Sequence, residues 1–216
     1  MRMKYAVAMY ENNVDFIPEE ITGIYDTPVI YGEEYAGDTM WISFQEAARR
    51  QYKRDEFGVH FFIDDYQFQK LWTGREKYRN VLPGFKAVMS PDFSIFTDWP
   101  EPVKLWNHYR KHLLGAWMQS IGCRVYPTIS WADEDSYSWC FNGDPRKATV
   151  CVSSVGTQMN KESKRLFLAG YDKMLERLEP KTILFYGRIP DECRGNIVPI
   201  RAFQERLRMV KKHDPD

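Results

Sequence analysis

No apolar run in the chain reaches the ~18–20 residues needed to cross a bilayer. The N-terminus starts with Arg2 and Lys4 but meets Glu11, Asn12 and Asn13 too soon for the apolar core of a secretory signal. These two absences predict no membrane association and a cytoplasmic location. Neither charge is in excess, because 30 Lys and Arg balance 30 Asp and Glu. Strong non-specific nucleic-acid binding, which needs clustered excess cation, is therefore not expected. Cys123, Cys140, Cys151 and Cys193 include no Cys-x-x-Cys pair. In a reducing compartment they read as free thiols rather than a zinc site or a disulfide framework. A Gly-x-Ser-x-Gly elbow, a Walker loop and a dinucleotide fingerprint are also missing. No internal repeat or low-complexity linker divides the chain.

What remains is a length of 216 residues, enough to bury one sizeable core. Residues 1–216 are expected to form a single α/β domain, with 1–37 an irregular N-terminal segment and 212–216 a frayed tail. Aromatic residues make up 15% of the chain, which supplies both a core and the wall of a pocket.

The spacing of apolar residues predicts alternating strands and helices. Val29–Tyr31 and Met40–Ser43 read as short strands. Phe44–Lys53 reads as a helix, with Ser43 and Glu46 forming a capping box. Val59–Ile63, Lys86–Ser90, Arg124–Ile129, Ala148–Ser153, Thr182–Tyr186 and Val198–Ile200 read as further strands. Helical stretches fall at 66–72, 76–82, 101–121, 133–141, 160–178 and 202–211. Short apolar strands separated by helices imply a parallel sheet covered on both faces. The expected fold is a small or incomplete TIM-barrel-like α/β structure, with an open doubly wound sheet as the alternative.

In either fold, chemistry gathers at the carboxyl ends of the strands. Asp64 and Asp65 follow one strand and Asp92 follows the next. They are the candidate catalytic acids, suited to acid/base work or to holding a divalent cation. Their plainer reading is helix capping for Asp64 and Asp65 and turn formation for Asp92. Asp64 or Asp65, together with Asp92, is expected to matter more for function than for folding. Trp131 is placed to stack a base or sugar. Asp133 follows it, although Asp133–Asp135 also suit a helix N-terminus. Ser153, Ser154 and Gly156 form a small-residue turn before a helix, a setting that binds phosphate. Asn107 and Arg110 lie one helical turn apart, with Arg110 in reach of an anion or of Asp92. Tyr186 ends a further strand. His60 reads as a core histidine. His108 and His112 have a metal-binding spacing but no third ligand near in sequence.

Six ordered segments carry a family resemblance: His60-Phe-Phe-Ile-Asp-Asp-Tyr-Gln-Phe68, Ser90-Pro-Asp-Phe-Ser94, Trp106-Asn-His-Tyr-Arg110, Gly115-Ala-Trp-Met-Gln119, Pro127-Thr-Ile-Ser-Trp131 and Ser153-Ser-Val-Gly156. From about Val29 to Gly187 the chain resembles the bacterial and phage domain-of-unknown-function family 4417. The resemblance implies a phage or prophage setting, hence a host-cell cytoplasm, and carries no catalytic role to any residue. A weaker likeness links Pro127–Trp131 and Val150–Gly156 to strand ends that line the base pocket of tRNA-guanine transglycosylase barrels, although the Cys-rich zinc module of those enzymes is missing here.

The functional expectation is an enzyme of hydrolase or glycosyl-transferase type, acting on a nucleotide, a modified base or another nucleic-acid-derived substrate. The alternatives are a non-enzymatic phage-encoded binding or inhibitor protein targeting a host component, with a host protein among the possible partners, and an accessory protein of DNA replication or of a mobile element.

Overall fold

Parallel pairing organises the computed structural model, which describes residues 2–48 and 54–200. Strands β3 (Met40–Ser43), β4 (Phe57–His60), β5 (Ala87–Met89) and β6 (Val125–Tyr126) form a four-stranded sheet in chain order. Strands β7 (Thr149–Ser153), β8 (Thr182–Tyr186) and β9 (Ile197–Ile200) form a three-stranded sheet, also in chain order. Every neighbouring pair in both sheets is parallel. One parallel bridge, Thr128 to Cys151, joins the end of the first sheet to the start of the second. The protein is thus an α/β structure with parallel sheets. No ladder among the described residues pairs β9 with β3, so no closed ring of strands is present there.

Parallel strands require long crossovers; helices supply those after β3, β4, β5 and β7, a 3-10 turn lies between β6 and β7, and a loop joins β8 to β9. The helices are α2 (Phe44–Ala47), α3 (Asp65–Thr73), α4 (Glu101–Ser120) and α5 (Lys161–Leu178). Ser43 and Glu46 make the reciprocal capping box expected at the start of α2. Asn160 caps α5 by accepting from Ser163 N at 2.8 Å. The α4 helix stops at Gly122, which takes the left-handed conformation (φ 92°) that glycine adopts without strain.

The remaining strands and helices differ from the sequence reading in definable ways. Residues 1–37 are not wholly irregular, since they contain helix α1 (Arg2–Glu11) and a two-stranded antiparallel hairpin, β1 (Ile21–Thr22) with β2 (Thr27–Pro28). Val29–Tyr31 is not a strand; Val29 N bonds to Glu20 O and Ile30 N to Gly143 O. The strand predicted at 59–63 ends at His60, because Ile63 N turns back to Phe61 O. Short 3-10 turns replace the helices predicted at 76–82 and 133–141. The first splits into turns at Arg75–Tyr78 and Leu82–Gly84, the latter opening with Pro83 in its first positions. In the second, Ser136 Oγ bonds back to Asp133 O and competes with helical continuation. The helix predicted at 202–211, the tail at 212–216 and the 49–53 end of the α2 prediction lie outside the described residues.

Two apolar clusters hold the sheets. Phe44, Phe61, Phe68, Leu71 and Trp117 pack under β3–β6. Phe167, Tyr171, Met174 and Phe185 lock α5 onto β7 and β8. Each such side chain contributes roughly 1.5–3 kcal/mol on full burial. The α4 helix is buried on two faces. One carries Leu113, Leu114, Trp117 and Met118, and the other carries Lys104, Asn107, His108, Lys111 and His112. The polar face is covered because Trp139, Asn142 and Asp144 pack against it. The four cysteines form no disulfide. No described helix is long and apolar enough to cross a membrane.

Candidate functional site

The registers bring the strand carboxyl ends to one edge of the molecule: Ser43 beside His60, Met89 beside Tyr126, and Ser153 beside Tyr186. The loops that follow enclose a cleft of about 660 Å³. Its wall includes Phe62 and Asp64 after β4, Asp92–Thr97 after β5, Ser130 and Trp131 after β6, Ser153 at the end of β7 and Gly156 beyond it, and Phe167 of α5. A second depression, along α5 at Asp172, Lys173, Glu176 and Arg194, is lined by charges already paired with one another.

Asp92 is the most perturbed acid in the cleft. It follows the buried Pro91 on a segment held between β5 and α4. Desolvation raises its pKa to about 7; the charge of Lys111 opposes that shift and the charge of Asp65 adds to it. A carboxyl of this kind takes up and releases protons near neutrality, which is what a general acid or base requires.

Asp65 has a structural task. Its two oxygens accept from Ser94 N at 3.3 and 3.1 Å, and Oδ1 also accepts from Ser94 Oγ at 2.9 Å. Asn107 Nδ2 donates to Ser94 O at 2.6 Å and its Oδ1 receives Arg110 Nη2 at 2.5 Å. The Arg110 guanidinium lies 3.8 Å from the centre of the Phe93 ring and donates to Gln69 at 3.2 Å. Arg110 thus braces the loop that carries Asp92 and forms no ion pair with Asp92 itself. Asp65, Asn107 and Arg110 lie behind the cleft wall.

Asp64 is exposed on the cleft, at the N-cap of α3, without a side-chain bond to the helix backbone. It accepts instead from Gln67 Nε2 at 3.2 Å. Trp131 forms part of the wall and leans on Phe167 and on Gly170, where no side chain stands in the way. Asp133 lies outside the cleft and caps its 3-10 turn. Ser153 is at the cleft and accepts from Val155 N. Ser154 is buried and donates to Arg188 O at 2.6 Å. Gly156 turns the chain at φ 79°. Thr157 to Asn160 separate that turn from α5, whose N-terminus Asn160 already caps. Tyr186 is outside the cleft wall and stacks on Phe62 with ring centres 5.0 Å apart. His60 is buried beside it.

The structure also supplies a group that the sequence reading passed over, Lys111, and gives the two α4 histidines their partners. Lys111 is buried and donates to Ser130 Oγ, a cleft residue, at 3.4 Å. His112 Nδ1 donates to His108 O and its Nε2 meets Asp144 Oδ1 at 3.1 Å, with both side chains fully enclosed. Burial, followed by the charges of His112 and Lys111, holds the His108 pKa well below its usual value. The two histidines are therefore engaged with protein atoms and not with each other as a chelate. Among the described residues no three of His, Cys, Asp and Glu are grouped to hold a metal ion. The helical spacing 104, 107, 108, 111, 112 was the available signal for this buried polar face.

The geometry defines a parallel α/β protein with an aromatic-walled cleft at its strand carboxyl ends. Residues 19–204 match the domain of unknown function DUF4417, and the chain belongs to that family. Over 131 residues it is 40% identical to the Gene 1 protein of Mycobacterium phage D29, covering 61% of this chain and 48% of the relative. It is 38% identical to the Gene 1 protein of Mycobacterium phage L5, covering 61% and 57%. The chain thus spans about half the length of the curated relatives it matches, at 48% and 57%. These relatives place it among phage-associated proteins. No solved structure matches it.

Proposed function

We propose that the cleft is the active site of an enzyme acting on a nucleotide, a modified base or another nucleic-acid-derived substrate, carried on an incomplete TIM-barrel-like arrangement of strands. The observation that carries this reading is Asp92, whose carboxyl has a pKa near 7 in a cleft that also holds Asp64 and Trp131. Trp131 and Phe62 give a planar base two aromatic surfaces. Asp92, protonated, gives its proton to a departing base nitrogen. Asp64 takes a proton from the attacking water or acceptor hydroxyl, and the glycosidic bond is exchanged for a C–O bond. Incubation with a panel of nucleosides and nucleotides, read by chromatography of released base, tests this. Release by the parent and loss in Asp92→Asn support the reading; no release from any member contradicts the enzymatic form.

A host-protein partner is a second reading, favoured by the exposed apolar rim of Phe96, Val155 and Met159, the last 82% exposed. It predicts that Phe96→Ser with Met159→Ser abolishes protein capture while small-molecule binding persists. Retained capture by this double variant contradicts it.

A further inference from the structure

The amine of Lys111 is a buried cation without a close counter-ion. Lys111 is 1% exposed, and an ammonium carries three N–H donors. Its hydrogen-bond partner is Ser130 Oγ, at a distance of 3.4 Å that marks a weak bond. No described carboxylate lies within ion-pair distance of it; Asp92 acts on it only at longer range. Of the other titratable groups around it, the enclosed carboxyl of Asp144 is engaged by His112 Nε2 at 3.1 Å. His108 is held neutral by burial, and burial pushes the Cys140 thiol up to about 12. An uncompensated charge in such surroundings is costly, which makes the position receptive to an anion.

Ser130 passes that receptivity to the cleft. Its oxygen accepts the Lys111 N–H, so its own hydrogen points elsewhere, and no described group accepts it. Ser130 lines the cleft. The chain leading into it is pinned. Thr128 N donates to Ser90 Oγ at 2.8 Å, Thr128 Oγ1 donates to Ser90 O at 2.7 Å, and Ile129 N donates to Cys151 O at 2.8 Å. The hydroxyl is therefore a pre-oriented donor with a buried positive charge behind it, an arrangement that stabilises an oxyanion.

We infer that Ser130, backed by Lys111, is the oxyanion subsite of the cleft, and that the ligand is phosphorylated: a nucleoside monophosphate rather than a free nucleoside. An anion there completes the neutralisation of Lys111. This inference rests on the reading of the cleft as a nucleotide site and adds the group that anchors the ligand.

Calorimetric titration of the four common nucleosides, their 5′-monophosphates and orthophosphate tests it on the parent, Ser130→Ala and Lys111→Met proteins. The parent is expected to bind a monophosphate at least about tenfold more tightly than its nucleoside, the worth of one charge-assisted hydrogen bond. In Ser130→Ala that preference collapses while nucleoside affinity is kept. Ser130→Ala removes one cleft hydroxyl and keeps the test valid if Lys111→Met does not fold. Equal binding of nucleoside and monophosphate by the parent overturns the inference and leaves the base-binding reading standing. Equal weakening of both by Ser130→Ala also overturns it. Binding of orthophosphate and monophosphates alike, without binding of nucleosides, supports the subsite and removes the base-binding reading. No binding of any probe overturns both.

Discussion

The indole of Trp131 fills the space beside Gly170 that a β-carbon would need. A glycine in the middle of α5 is costly on propensity alone, and alanine ordinarily gains about 0.5–1 kcal/mol at such a place. Here the sign should reverse. Gly170→Ala pushes Trp131 off the helix and into the cleft, with an overpacking cost of roughly 1–3 kcal/mol. Denaturant unfolding followed by tryptophan fluorescence checks this. An alanine variant more stable than the parent, with unchanged emission, would contradict the packing described.

Asp92 makes stability depend on pH in an unusual direction. Its folded pKa of about 7 lies above its usual 3.8, so the folded protein holds this proton more tightly than the unfolded chain. Its contribution is therefore most favourable below pH 4. It declines as pH rises through the interval to 7, by at most about 4 kcal/mol. Asn mimics the protonated acid and has no such dependence. Thermal melts of Asp92→Asn and the parent should agree closely at pH 4, and the variant should melt higher at pH 8. A constant difference across that range would show that the acid is not desolvated.

Asp65→Asn should destabilise the protein by roughly 1–3 kcal/mol, the scale of a lost charge-assisted hydrogen bond. One of its two acceptor oxygens becomes a donor that faces the Ser94 N–H and hydroxyl. Of the pair Asp64 or Asp65, one of which was expected to serve function together with Asp92, these bonds assign Asp65 to folding and leave Asp64 for the site. A melt of Asp65→Asn matching the parent would contradict that assignment.

How much was legible follows from how local each signal is. The capping box at Ser43 and Glu46, the strand Thr182–Tyr186 and the Asn160 start of α5 were readable because each depends on neighbours in sequence. The α1 helix was not, because its Met, Ala and Tyr residues make no clear apolar stripe and Tyr5 and Val7 stay exposed. Asp64, Asp92, Trp131, Ser153 and Gly156 share one cleft because parallel strands align their carboxyl ends. Asp65, Asp133 and Ser154 were candidates of the same kind, yet their hydrogen bonds run into turns and loops. Lys111 was missed for a different reason. A lysine in mid-helix ordinarily faces water, and this one meets Ser130 on a face of α4 that the sequence-distant segment Trp139–Asp144 covers.

The account rests on the state of a single carboxyl, and carbon-13 NMR of Asp92 between pH 3 and 9 reads it directly, without ligand and with a saturating nucleoside monophosphate. A midpoint near 7 in the free protein, moving to higher pH when the anion binds, is the predicted result. A midpoint near 4 in both samples would mean that Asp92 is solvated and remote from any ligand, and the cleft would not be the site.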